Sequence, residues 1–267
     1  MLAYLAVYIQ SERVMRHRYA VPAATLSVPT DADSIQEGRR LAIVHGCYFS
    51  CHGKQGEGHV LFDQPMIGRI VAPNLGAAVH KYSDAQLAGI IRDGVRPDGR
   101  SLVIMPSEVF HELSDAELGP IIAFLRSVPP IAGPGPGVSL GPLGRVGLAL
   151  GQFKLAAQQI AETVPPPVAS NETAAQGRHL ARTVCAQCHG TDLRGNSNPD
   201  FTSPNLQIVA AYSELDFTQL LRTGVPLGGR KLVEMSDAAR NNLSQLTDAE
   251  IDALYSYLHT LPDTPRR

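Results

Sequence analysis

The sequence predicts an all-α chain made of two tandem copies of one small module. Each module consists of short helices and long loops wrapped around a group that the polypeptide does not itself supply. Three observations predict this: an internal repeat, helix-start signatures at matching places in both copies, and four cysteines that fall in register.

The repeat sets the organisation. Pro73-Asn74-Leu75 recurs as Pro204-Asn205-Leu206, Tyr82-Ser83-Asp84 as Tyr212-Ser213-Glu214, and Arg92-x-Gly94-Val95 as Arg222-x-Gly224-Val225. From Tyr82 to Arg100 the offset holds at 130 residues. Gly38-Arg39-x-Leu41-Ala42 and Gly177-Arg178-x-Leu180-Ala181 mark the beginnings of the copies, and Leu113–Leu118 and Leu246–Ile251 mark their ends. Self-similarity of this kind marks a duplicated structural unit. The modules therefore occupy 31–130 and 170–267, preceded by an N-terminal helix within 1–30 and joined by a Pro/Gly-rich linker over 131–169 that contains a helix.

Each copy is helical for stated reasons. Ser114-x-x-Glu117 and Thr247-x-x-Glu250 are capping boxes, in which a hydroxyl and a carboxylate satisfy the free amides of a helix start. Leu118, Ile121, Ile122 and Leu125 follow at helical spacing, as do Ile251, Leu254 and Leu258. Ser83-x-x-Gln86 opens a shorter helix that Gly94 is placed to end in a left-handed cap, and Ser213 and Gly224 repeat the arrangement. In the linker, Gly144–Thr163 reads as one helix before Pro165-Pro166-Pro167. It carries only Arg145 and Lys154 as positive charges, which favours packing between the domains over a membrane role.

Composition narrows the function. Of 267 residues, 18% are charged and the formal net charge is −2, which leaves no basic footprint for nucleic acid. The 24 Gly and 20 Pro predict long non-helical connections. No apolar stretch reaches the ~20 residues that span a bilayer. Met1–Ile9 is apolar but short, and its charges follow at Ser11–Arg18, the reverse of a secretory signal. It reads either as an exposed helix or as the last turns of a truncated membrane anchor.

The cysteines carry the chemistry. Cys185-Ala186-Gln187-Cys188-His189 has the attachment spacing of c-type haem, and Cys47-Tyr48-Phe49-Ser50-Cys51-His52 repeats it with one more residue between the thiols. Two thioether bonds must reach two vinyl groups of one porphyrin while the next imidazole meets the iron. The flat apolar macrocycle then supplies the core that thin helices lack. A redox dithiol would want a βαβ context, which the pattern lacks. Four Cys and a zinc ion form an alternative that leaves the repeat unexplained. The sixth ligand must come from far along each module. Met235 is the candidate in module two, and subtracting 130 lands on Met105, whereas Met66 has no counterpart and reads as packing.

These residues resemble those of di-haem c-type cytochromes built of two class I cytochrome c domains. The likeness covers both modules through Cys-x-x-Cys-His, Pro-Asn-Leu, the downstream Met and the final helix. It implies two covalently attached haem c groups, held by Cys47, Cys51, His52 and Met105 and by Cys185, Cys188, His189 and Met235. It further implies close helix crossings at Gly38 with Phe124 and Gly177 with Tyr257. Tyr82 and Tyr212 would line haem pockets or simply pack, and Arg100 and Arg230 would pair with propionates or carry surface charge. Three departures stand out: the longer first motif, Ser236 after Met235 where Pro106 follows Met105, and the absence of Trp.

The implied function is single-electron transfer from a periplasmic or membrane donor to a downstream acceptor of a respiratory chain, without catalysis of its own. Implied partners are a dehydrogenase, a cytochrome or a terminal oxidase, on the periplasmic side and tethered to the inner membrane through the N-terminal helix. The alternative is a di-haem redox enzyme of peroxidase or thiosulfate-oxidising type with one replaceable axial position.

Overall fold

The computed structural model describes residues 2–21, 25–163, 172–198, 201–230 and 232–261. Met1 and the Pro165-Pro166-Pro167 run lie outside them. The chain divides into two compact units, Met1–Ala42 with Gly46–Glu162, and Ile43–His45 with Thr163–Arg267.

The first unit opens with α1 (Leu2–Arg16) and α2 (Ala32–Val44), followed by an irregular turn at Cys47–Cys51. Strands β1 (His59–Gln64) and β2 (Gly68–Ala72) lead into the short helices α3 (Leu75–Ala78), α4 (Asp84–Ala88) and α5 (Ser107–Phe110), and then α6 (Asp115–Ser127). The linker adds β3 (Gly137–Leu140), α7 (Pro142–Ala149) and α8 (Ala156–Glu162). In α6 the residues at helical spacing are the buried ones: Leu118, Ile121, Ile122 and Leu125 are all at most 3% exposed. Each such side chain contributes about 1.5–3 kcal/mol on burial. The carboxylate of Glu117 accepts the Ser114 N–H at 2.8 Å and starts the helix as its sequence signature requires.

Two features correct the sequence reading. The chain is mostly helical but not all-α. An antiparallel sheet of order β1-β2-β3 pairs His59 with Ala72 and Gly68 with Leu140. Its edge strand comes from the Pro/Gly linker, where composition masked a four-residue extended run. The helix expected over Gly144–Thr163 is two helices, because Gly151 adopts φ 70° and breaks the run.

The N-terminal helix packs along α7. Arg145 donates from Nη1 to Ser11 Oγ and to Glu12 Oε1, both at 2.9 Å, and lies 4.2 Å from the Tyr8 ring centroid. These hydrogen bonds hold the Glu12 carboxyl below the usual carboxylate range. Among the described residues, no helix is long and apolar enough to cross a membrane.

The second unit contains α9 (Glu172–Leu180), a turn at Ala181–Cys185 and α10 (Ala186–His189). A two-stranded ribbon, β4 (Asn196–Asn198) with β5 (Phe201–Ser203), precedes α11 (Glu214–Thr223), α12 (Val233–Asn241) and α13 (Asp248–His259). Here the capping box is reciprocal: Thr247 Oγ1 accepts the Glu250 N–H at 3.2 Å, and Glu250 accepts the Thr247 N–H at 2.7 Å. Ile251, Leu254 and Leu258 are at most 1% exposed.

A glycine lets α2 cross α6 in the first unit and α9 cross α13 in the second. A Cβ on Gly177 would stand 2.7 Å from both the Ala253 carbonyl carbon and Tyr257 Cβ, and nearer still to the Ala253 oxygen. On Gly38 it would meet the Pro120 carbonyl and, at 3.0 Å, the Ile121 nitrogen. The Gly177 crossing thus falls on Tyr257 as expected. The Gly38 crossing falls on Pro120, one turn before Phe124.

Candidate functional site

Two thiols and one imidazole lie in the turn that follows α2 in the first unit and α9 in the second. In the second unit Cys185 and Ala186 are both helical, at φ −72°, ψ −34° and φ −62°, ψ −23°, so the short spacing continues a helix. In the first unit the extra residue forces a bulge. Tyr48 is extended, Phe49 turns left-handed at φ 74°, and the Cys51 N–H bonds back to the Gly46 carbonyl at 3.0 Å. The ring of Tyr48 then packs edge-on against Phe124 with centroids 5.1 Å apart, and Phe49 is left 40% exposed.

The imidazoles are set by backbone. His52 Nδ1 donates to the Pro73 carbonyl at 2.8 Å, and His189 Nδ1 donates to the Pro204 carbonyl, also at 2.8 Å. A proton fixed on Nδ1 leaves the Nε2 lone pair for a metal. Burial lowers the pKa of both rings, against the opposing pull of those carbonyl bonds, and keeps them neutral as a ligand must be.

The Pro-Asn-Leu tripeptide, in the sequence a repeat marker and a point of family likeness, explains itself here. Its proline carbonyl orients the histidine. Its asparagine caps the next helix or turn, Asn74 Oδ1 accepting from Ala77 N at 3.0 Å and Asn205 Oδ1 from Gln207 N at 2.9 Å. Its leucine, Leu75 or Leu206, is 7% exposed. The histidine carbonyls are held as well, by the N–H of Gly58 and of Gly195 at 2.8 Å. These glycines sit at φ 92° and 90°, and a Cβ would press on the Ala72 oxygen at 2.9 Å or the Pro204 carbonyl carbon at 2.7 Å. Only glycine fits where the loop folds back on itself.

None of the four cysteines is in a disulfide. The residues Cys47 and Cys185 are half-buried, yet enough protein surrounds each sulfur that burial, reinforced by the neighbouring thiol, pushes it up to about 12. These are thiols awaiting covalent chemistry rather than reactive thiolates. Among the described residues, no three of His, Cys, Asp or Glu are placed to share one metal ion. The donors of each unit therefore do not form a zinc site. Thiols outside any disulfide, beside an imidazole whose Nδ1 is engaged by a carbonyl, fit attachment to a planar ring that carries its own iron.

The two methionines sit in different local structure. Met105 lies in a bend before Pro106, whereas Met235 lies in the first turn of α12, and both are half-buried. In each unit a serine beyond the methionine packs on the helix-ending glycine. A Cβ on Gly94 would meet Ser107 at 3.1 Å, and Ser236 Oγ donates to the Gly224 carbonyl at 2.6 Å. Met105 is two residues before its serine and Met235 one, so the offset of 130 slips to 129 at this anchor. Ser236 thus takes the anchoring place that Ser107 holds after Pro106.

Other expected residues are placed as follows. Arg100 pairs with Asp98 at 2.6 Å and is half exposed, and Arg230 is exposed, so both carry surface charge. Tyr212 is buried and Tyr82 half-buried, each linking two helices of its unit. The repeated Arg-x-Gly-Val has a structural purpose that sequence missed. Arg92 bonds Asp115 at 2.7 Å and Arg222 bonds Asp248 at 2.6 Å, tying the segment that ends at Gly94 or Gly224 to the first turn of α6 or α13.

The cytochrome c profile matches this chain twice, over residues 35–129 and 174–262. The chain belongs to the cytochrome c family. Membership implies covalently held haem c, in keeping with thiols outside any disulfide and with the oriented imidazoles. Among curated relatives, the fructose dehydrogenase cytochrome subunit of Gluconobacter japonicus is 26% identical over 91% of this cytochrome and 56% of its own length. The cytochrome c subunit of the quinone alcohol dehydrogenase of Gluconacetobacter polyoxogenes is 25% identical over 90% and 59%. That of the gluconate 2-dehydrogenase of Pantoea cypripedii is 27% identical over 93% and 65%. This cytochrome thus spans between 56% and 65% of the length of these relatives.

Proposed function

We propose that the chain is a di-haem cytochrome that relays single electrons, as the cytochrome subunit of a dehydrogenase complex, to a downstream acceptor in a respiratory chain. Haem c, once bound, supplies a one-electron ferric/ferrous couple. The residues that would hold it are Cys47, Cys51 and His52 in the first unit and Cys185, Cys188 and His189 in the second, with Met105 and Met235 as sixth ligands. Pro73 and Pro204 keep each imidazole in one tautomer. A thioether opposite an imidazole favours ferrous iron and raises the potential relative to two imidazoles. On this reading the chain works at the periplasmic face of the inner membrane, associated with the membrane, beside a dehydrogenase and a cytochrome or terminal oxidase.

The observation that carries the proposal is the duplicated pair of thiols, outside any disulfide, followed by an Nδ1-locked histidine. The test is a haem count with a redox titration followed by visible spectra, on the parent and on Met105→Ala and Met235→Ala. Two haems per chain are expected, with each substitution removing one methionine-ligated centre and lowering its potential. Fewer than two haems, or spectra indifferent to both substitutions, would overturn it.

One observation favours a second reading. The one-residue slip at Met235 fits a di-haem redox enzyme of peroxidase or thiosulfate-oxidising type whose second iron exchanges its axial ligand. Carbon monoxide added to the reduced protein separates the two. An unchanged spectrum supports the carrier, and a large shift at one haem supports the enzyme.

A further inference from the structure

The repeat allows one face of the module to be compared with itself. In the first unit Val95 and Val103 are 4% and 6% exposed. Val103 forms a cluster with Leu148 and Leu155, with Val14 and Met15 against it. The covering side chains come from α1, α7 and the residue before α8, all outside the repeated module. They also tie down the loop that leads to Met105. Tyr19 N–H donates to Gly99 O at 2.8 Å, Ala156 N–H to Leu102 O at 3.1 Å, and Ala157 N–H to Ser101 Oγ at 3.0 Å.

The second unit carries the same apolar positions without the cover. Val225 and Val233, each 130 residues on, are 42% and 55% exposed, and Leu227 is 44% exposed. Side chains grafted on Gly228 and Gly229 would meet nothing within 4 Å. Among the described residues, 225–232 hydrogen-bond only within the loop and to Thr223 and Ser236 at its ends. Asp98, which neutralises Arg100 in the first unit, is replaced by Gly228, and Arg230 makes no ion pair with a described residue. Val225 and Val233 stand at positions that the sibling module buries, and with exposed Leu227 and the exposed cation Arg230 they mark a surface that is completed by something else.

We propose that Val225, Leu227 and Val233, with Arg230 at the rim, dock a redox protein that presents an apolar patch edged by acidic side chains. The sibling module shows the chemistry of a good cover, aliphatic side chains delivered from helices, and Arg230 supplies the charge preference. The face lies two residues from Met235, so a partner seated there stands beside the second site. The inference rests on the reading of the chain as an electron-carrying subunit and adds where its partner binds.

The test is hydroxyl-radical footprinting of the holo-protein, alone and within the complex purified from its source membranes. Protection of Val225, Leu227 and Val233 by about threefold or more in the complex is expected, together with about tenfold slower electron transfer from the dehydrogenase to Val233→Asp at unchanged haem content. Arg230→Glu slows the same transfer, most at low salt. Unchanged labelling in a complex that contains the dehydrogenase overturns the docking face and leaves the proposed function standing. A complex without any dehydrogenase overturns the proposed function and the docking face with it. Protection that grows with the concentration of the isolated chain, or that phosphatidylglycerol vesicles alone produce, assigns the face to a second copy or to lipid and overturns the redox-partner inference.

Discussion

Gly177→Ala isolates how tightly the second unit is closed. Within a helix this exchange ordinarily stabilises by about 1 kcal/mol. Here the new methyl would stand 2.7 Å from both the Ala253 carbonyl carbon and Tyr257 Cβ. Carbon atoms pack at about 3.5–4.0 Å, so α9 must retreat from α13 by about 0.8 Å or more, and a gap of that size forfeits a quarter to a half of each contact along the crossing. Overpacking of this kind costs about 3 kcal/mol, the upper part of its usual range. Setting the gain in helix propensity against that cost leaves a net loss of about 2 kcal/mol. Guanidinium unfolding of the holo-protein measures it. Tyr257→Ala in the same chain does not rescue the loss, because the main obstacle is a backbone carbonyl. Gly147→Ala is the control, since its Cβ would find nothing nearer than 3.9 Å and should stabilise. A Gly177→Ala protein as stable as its parent would refute the close crossing.

Three further outcomes follow from the same coordinates. At position 49 the left-handed backbone reverses the usual order, so Phe49→Gly is more stable than Phe49→Ala by about 1 kcal/mol in thermal unfolding. Asn205→Ala removes the acceptor for the Gln207 N–H and costs about 1 kcal/mol, and Asn205→Asp restores most of it in the same unfolding assay. Glu108 has a buried Oε2 with no hydrogen-bond partner among the described residues, and burial raises its carboxyl above the ordinary 4.5. The folded state thus favours the neutral acid, a contribution that is full below about pH 4.5 and lost as pH rises through the folded value. Glu108→Gln is therefore more stable than the parent at pH 7, and the difference disappears near pH 4 when unfolding is followed across that range.

Much of the architecture was legible because it is local or periodic. Capping at Ser83, Ser114 and Thr247, the apolar stripe of α6 and α13, and the glycine helix ends depend on residues within a turn of one another, and the duplication let one copy check the other. What stayed hidden depends on distant backbone. The strand at Gly137–Leu140 exists because β2 offers it an edge, which Pro/Gly composition cannot announce. The partners of His52 and His189 are main-chain carbonyls, invisible to any residue-type search, although the twice-written Pro-Asn-Leu was a signal awaiting a reason. The slip between Met105 and Met235 was hidden too, since equal spacing in number does not guarantee equal placement once one methionine lies in a bend and the other in a helix. The burial of Val103 comes from segments outside the duplication, so the repeat alone predicted the two modules to be alike where they differ.

The use of Pro73 and Pro204 carbonyls to steady the imidazoles has a consequence for how the protein can vary. A side-chain acceptor is lost by one codon change, but every amino acid brings the same main-chain oxygen. Drift at those positions leaves the acceptor in place unless it bends the loop, and the glycines at 58 and 195 narrow the room for bending. If each unit holds a haem as proposed, natural variation in potential is to be sought in what surrounds it, and seldom in the basicity of its histidine.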